Sequence, residues 1–218
     1  MAQLELVPVH TRILTPKDNI VNTILEYAGQ DIGPEDIVCV AESVVAITQG
    51  HFTRPEELKP SWKARFLCRF VPADGSMSSV YGMQAAMNLE GEWKTMFCFF
   101  AGAIAKIFRK NGVFYQLARQ ASLTDDVTGT MPPFDKHIVY GPKHPNQVAE
   151  QIVQRTGCYG AVVADVNDLK RSAVLGHSRG LDPKRIARIL INNPFGNDSQ
   201  MTPIVIIKNF ASVAREQQ

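Results

Sequence analysis

Three short runs in this chain are apolar at nearly every residue: Ile37 to Ala41 (IVCVA), Gly160 to Ala164 (GAVVA) and Pro203 to Ile207 (PIVII). A strand with one wet face alternates apolar and polar side chains, so unbroken runs of this length call for strands covered on both faces. The surrounding segments read as the covering helices. In PNQVAEQIVQRTG, Val148, Ile152 and Val153 share a helical face and Gly157 marks the exit. In LDPKRIARILIN, Asp182 caps the helix and Pro183 fills its first position. NIVNTILEYAG puts Ile20, Ile24 and Tyr27 on one side, with Asp18 or Asn19 as cap, and QLELVPVH before it reads as an opening strand. The expected fold is α/β in the broad, mixed sense: a mixed sheet with flanking helices.

Between these anchors the expectations are less regular. MQAAMNLEGEWKTMFCFF (Met83 to Phe100) reads as two strands joined at Glu90-Gly91, and Ala101 to Leu117 as a helix stopped at Asn111-Gly112. The stretch from Thr124 to Pro145, rich in Pro, Gly and Asp, reads as loop, and a loop of that length inside a domain is usually functional. HFTRPEELKPSWKARF, broken by Pro55 and Pro60, reads as a loop carrying one short helix. The organisation that follows is one domain over residues 1–218, or two closely packed lobes with a boundary near 51–82.

Composition narrows the function class. A formal charge of +2, with 20% charged and 45% hydrophobic residues, is that of an ordinary folded chain and gives no field that would recruit nucleic acid or a membrane surface, so small molecules are the expected partners. No window reaches the roughly 18 apolar residues of a membrane span, and the N-terminus lacks the charged and apolar regions of a signal peptide, which points to the cytoplasm. Cys39, Cys68, Cys98 and Cys158 sit apart in apolar surroundings without a CxxC pair and read as reduced core residues.

Several polar residues interrupt this pattern. Asp165, Asn167 and Asp168 follow GAVVA, where ligands bind in α/β sheets; oxygen donors at that spacing suit magnesium or manganese, and they equally suit a plain turn. The peptide NNPFGNDSQ sets Asn193, Gly196, Asn197, Asp198 and Ser199 in a glycine-containing loop that can present N–H groups to an anion, although it is no Walker A motif. Glu42 interrupts an apolar run and needs either a basic partner, with Arg12 the first candidate and Arg54 another, or a ligand amine. The basic residues from Lys170 to Arg188 form either an anion site or a solvated helix face. No HExxH or GxSxG spacing supports a zinc or serine hydrolase.

Four segments in order, VPVHTRILTPKDN with DIVCVAESVVAITQG, PPFDKHIVYGPKHPNQVAEQIVQRTG, GAVVADVND, and NNPFGNDSQMTPIVIIK, resemble the coenzyme F-420 gamma-glutamyl ligase family. The resemblance implies a homodimeric enzyme that joins glutamate to a carboxylate acceptor through an acyl phosphate, using GTP and magnesium or manganese. It implies that Asp165, Asn167 and Asp198 hold the metal. Asp165 and Arg171 would act at the reacting centre, and Arg12, Glu42, Asn193, Gly196, Asn197 and Ser199 would contact the nucleotide. The chain departs from the pattern at four positions, one of them Glu42, which stands where a small hydroxyl residue is expected. Val166 replaces a hydroxyl residue, Ile47 stands where a nucleotide-contacting lysine is expected, and Ile104 stands near an expected metal carboxylate, which Asp125, Asp126 or Asp198 would have to replace. These departures imply weakened GTP-dependent ligation, or a binding protein that kept the fold without the metal clamp.

Overall fold

A computed structural model describes residues 3–71, 77–107, 117, 132–196 and 200–216. The chain divides into two compact units, residues 1–50 with 142–218, and residues 51–141.

The first unit is built on a five-stranded sheet in the order β1-β7-β2-β5-β6: β1 (Glu5–Val9), β2 (Ile37–Ala41), β5 (Gly160–Asn167), β6 (Arg171–His177) and β7 (Ile204–Lys208). β2 and β5 are parallel, and every other pairing is antiparallel. The apolar runs form its centre. Val38, Val40, Ala161 and Val163 point to one face, where they meet Ile20 and Ile24 of α1 (Ile20–Ala28) and Ala149 and Ile152 of α6 (Pro145–Thr156). Ile37, Cys39, Val162 and Ala164 point to the other and pack with Ile186 of α7 (Pro183–Ile189) and Phe210 of α8 (Phe210–Glu216). Both faces are dry, which is why the strands carry no alternation. α1 starts on Asn19, whose Oδ1 accepts from the Val21 and Asn22 amides, and α6 ends on Gly157 at φ 71°.

One expectation in this unit needs correction. The segment after Lys170 is not a continuous helix face: Arg171–His177 is the edge strand β6, paired with β5 across a tight turn, and only Pro183–Ile189 is helical. After β7 the described residues continue into α8.

Among its described residues the second unit holds a two-residue ladder, β3 (Phe52–Thr53) with β4 (Ile138–Val139), and the α-helices α3 (Trp62–Leu67), α4 (Val80–Glu90) and α5 (Glu92–Ile107). The two strands expected over Met83 to Phe100 are thus two helices. Met83, Ala86 and Met87 recur at helical spacing and are buried with Leu67 and Cys98. Ser79 Oγ caps α4 by accepting from the Gly82 amide. Gly91, at φ 90°, ends α4 and separates it from α5, a conformation as useful at a helix C-terminus as in a hairpin. The helix expected from Ala101 is the second half of α5; its predicted stop at Asn111-Gly112, and Asp125 and Asp126, lie outside the described residues. All four cysteines are free and buried.

Candidate functional site

Strand register decides what stands together. Val9 and Val40 both face Ile204, and Ala41 faces Ala164. The Ala41 amide donates to the Pro203 carbonyl at 2.9 Å, and the Thr11 amide to the Met201 carbonyl at 2.9 Å. The segment after β1, the start of α2 (Glu42–Thr48), the outer part of β5 and the segment before β7 therefore meet at one end of the sheet. This is the carboxyl end of the two parallel strands β2 and β5, where α/β sheets bind ligands. Arg12, Glu42, Asp165, Asn167, Arg171, Asn193 and Gly196 all belong to these segments or to the hairpin beside them. Asn197, Asp198 and Ser199 lie outside the described residues.

Each side chain arrives there for a local reason. Glu42 is buried and opens α2, where the positive end of the helix dipole favours a carboxylate. Asp165 is not at the end of its strand, as the sequence suggests, but within β5 opposite Ala173. Burial pushes its carboxyl up from the ordinary range. Asn167 lies on the same face two residues on. Its Oδ1 accepts from the Leu169 and Arg171 amides at 3.1 and 3.3 Å and so closes the β5–β6 turn, in which Lys170 takes φ 56°. Arg171 starts β6 directly opposite Asn167 and is exposed.

The turn and the loop before β7 are joined by a residue pair. Asn193 Nδ2 donates to Asp168 Oδ1 at 2.6 Å and to the Gly196 carbonyl at 3.2 Å. The carboxylate that meets this loop is therefore Asp168, three residues beyond Asp165. Gly196 sits at φ 68°, a conformation that disfavours a side chain.

Arg12 has a different partner from the one expected. Its guanidinium grips Asp18 through two hydrogen bonds of 3.0 and 2.6 Å, and Asp18 also accepts from the Thr15 amide and hydroxyl. The Arg12 bond holds the Asp18 carboxyl far below its usual range against the opposing effect of burial. Thr11, almost fully buried, fixes the segment through its Met201 bond. Sequence reading missed Thr11 and gave Asp18 only as a candidate helix cap; the short spacing of Arg12, Thr15 and Asp18 was the signal available.

The donors described here do not by themselves make a divalent-metal site. Asn167 Oδ1 is committed to the turn and Asp168 to Asn193, which leaves Asp165 as the carboxylate of the predicted set among the described residues. Among the described residues no group of three His, Cys, Asp or Glu side chains converges. At the positions where the resemblance places further charge, Ile47 is buried in α2 and Ile104 is an exposed residue of α5. No helix among the described residues is long and apolar enough to cross a membrane.

No curated protein matches the chain. Residues 8–90 match the family model of F420-0:Gamma-glutamyl ligase. That segment runs from β1 through α4 and contains Arg12 and Glu42, while the strands that bring Asp165 and Asn193 to the same sheet end lie beyond it. Through residues 8–90 the chain is similar to the F420-0:gamma-glutamyl ligase family.

Proposed function

We propose that the chain is an amide-forming ligase that activates a small-molecule carboxylate with a nucleotide and transfers it to the amine of glutamate or a similar amino acid. What supports this reading is that the segments bearing Arg12, Glu42 and Asp165 reach the carboxyl end of the parallel strand pair, in a chain whose residues 8–90 match the family model. Arg171, exposed at the start of β6, would supply charge for phosphate or carboxylate, whereas Arg12 would have to be shared with Asp18. The buried Glu42 and the half-buried Asp165 suit an ammonium group or a cation, because an opposite charge offsets the cost of keeping a carboxylate ionised away from water. Bond formation then needs mainly positioning of the amine against the activated carbonyl. GTP is the nucleotide proposed and a homodimer the assembly proposed. Magnesium or manganese would find Asp165 first and would draw its other ligands from outside the described residues.

A second reading, a binding protein that kept the scaffold without catalysis, is favoured by Ile47 and Ile104, which place no charge where the resemblance asks for a lysine and a carboxylate. The deciding experiment incubates purified protein with GTP, glutamate, the deazaflavin acceptor and manganese, and follows the product by mass. Turnover lost in Asp165→Asn supports the ligase. A nucleotide-dependent rise in melting temperature without turnover supports the binding protein.

A further inference from the structure

Both tryptophans of the chain stand on the surface of the second unit: Trp62, which opens α3, is 67% exposed, and Trp93, at the start of α5, is 72% exposed. Their ring centres lie 5.9 and 4.2 Å from Lys63 Nζ. They begin one apolar face. Phe97, Phe100 and Ile104 continue from Trp93 along α5 at helical spacing, while Phe66 of α3 and Phe70 just past its end follow Trp62, and all five are exposed. The two rows are joined, because Phe66 touches Phe70 and Phe70 reaches Phe100 through Phe99. The opposite side of each helix packs into the core of the unit, through Ala64 and Leu67 of α3 and Cys98 of α5.

With roughly 200 Å² for each fully exposed aromatic side chain, these seven residues present on the order of 800 Å². That exceeds the apolar patch of about 300–600 Å² that a monomer ordinarily leaves in water, so the face calls for an occupant. Its charges and its lack of hydrogen-bonding groups say which kind. Glu92 is taken up by Lys63 at 2.5 Å and Glu90 by Lys94. Arg65 and Arg69, three and seven residues after Trp62, are exposed on the same side of α3, and among the described residues neither has an acidic partner. The face is thus aromatic with a cationic margin. A protein interface of this size carries roughly ten hydrogen bonds spread through it, and of these seven side chains only the two indoles can make one.

We propose that this face binds the surface of an anionic lipid bilayer. The phenylalanines and Ile104 enter the boundary of the acyl region, the two indoles lie at the level of the headgroups, and Arg65 and Arg69 meet lipid phosphates. Attachment of this kind lies in the plane of the membrane and needs no spanning helix, and none is present among the described residues. The chain-wide charge of +2 is too small to draw the protein to a membrane from a distance. Here apolar contact holds the protein and the arginines choose the lipid. The proposal does not depend on the ligase chemistry, whose residues lie in the other unit.

The test mixes the full chain with vesicles of phosphatidylcholine and phosphatidylglycerol, and with vesicles of phosphatidylcholine alone, and follows co-sedimentation and tryptophan fluorescence. Because both tryptophans are on the face, their emission reports its burial directly. The wild-type chain is expected to co-sediment with the anionic vesicles, with a blue shift, and to be released by salt. Phe97→Glu lowers the partition roughly tenfold or more, and Arg65→Gln with Arg69→Gln lowers it roughly thirtyfold, each with unchanged circular dichroism. A wild-type chain that shows neither co-sedimentation nor blue shift overturns the proposal. Equal binding to phosphatidylcholine alone overturns it too, as does a folded Phe97→Glu variant that binds like the wild type. So does a chain that is already dimeric in the ultracentrifuge without lipid, with its tryptophans shielded from iodide, since a second copy then covers the face. Ligase turnover is scored separately, so either reading can fail alone.

Discussion

Asn193 Nδ2 lies 2.6 Å from Asp168 Oδ1, and this bond ties the β5–β6 turn to the loop before β7. Asn193 also holds φ 50°, a left-handed conformation that asparagine tolerates better than most residues. Two substitutions separate the two roles. Asn193→Gly removes the bond and keeps the backbone comfortable, at about 1 kcal/mol. Asn193→Ala adds the backbone penalty, about 1 kcal/mol more. Urea unfolding of the two variants beside the wild type measures both.

Asp165 is kept at a cost to stability. Its carboxyl is raised by burial, so the folded protein holds the proton more tightly than the unfolded chain does. Between the unfolded and the folded pKa the native state binds more protons, and stability falls as pH rises through that window. Asp165→Asn is therefore expected to unfold at a higher temperature at pH 7, by about 1 kcal/mol of stability, with the gain vanishing below about pH 4. Loss of ligand binding in that more stable variant would identify a residue retained for function.

Asp36 behaves in the opposite sense. Burial pushes its carboxyl up, but Lys208 Nζ at 2.6 Å and the amides of Asn209 and Gly33 outweigh burial and leave it lowered. Its contribution is present above the ordinary carboxylate pKa of about 4 and is lost as pH falls through the folded value. Asp36→Ala is expected to cost about 2 kcal/mol at pH 7, because it removes the buried acceptor shared by Lys208 and the Asn209 and Gly33 amides. The difference from wild type should shrink in acid, which chemical unfolding at pH 7 and pH 3 would register.

Restoring the lysine that the resemblance asks for at position 47 is expected to fail. Ile47 is buried in α2, and an ammonium there lacks the water it needs. Ile47→Lys should lose about 3 kcal/mol or more and gain no nucleotide affinity. Thermal unfolding with and without GTP reads both effects; a stable variant with tighter GTP binding would show that α2 can turn this position outward.

The central strands were legible because burial on both faces leaves an unmistakable apolar run. The edge strand β6 was not, because RSAVLGH is only partly covered and its charged neighbours resemble a solvated helix. α4 and α5 were misread for a related reason: FCFF has strand-like composition, and a helical reading leaves Phe97 and Phe100 facing outward, as they do. At the sheet end, Arg12 and Glu42 could be picked out because each follows an anchored strand, and Asp165 because it follows the apolar run inside β5. The partnerships of Arg12 with Asp18 and of Asn193 with Asp168 depend on where side chains reach, which spacing alone does not encode.

The order β1-β7-β2 has a bearing on how the chain is made. β7 lies between the first two strands and pairs with both, yet it is the last strand to leave the ribosome. At 5–20 residues per second, β1 and β2 wait roughly ten seconds or more with their hydrogen-bonding edges open, while residues 51–141 emerge between them and can fold on their own contacts. During that interval IVCVA is an uncovered apolar edge of the kind that seeds aggregation. Expression of this protein should accordingly respond to chaperone supply and to slower growth temperature more than its native-state stability would suggest.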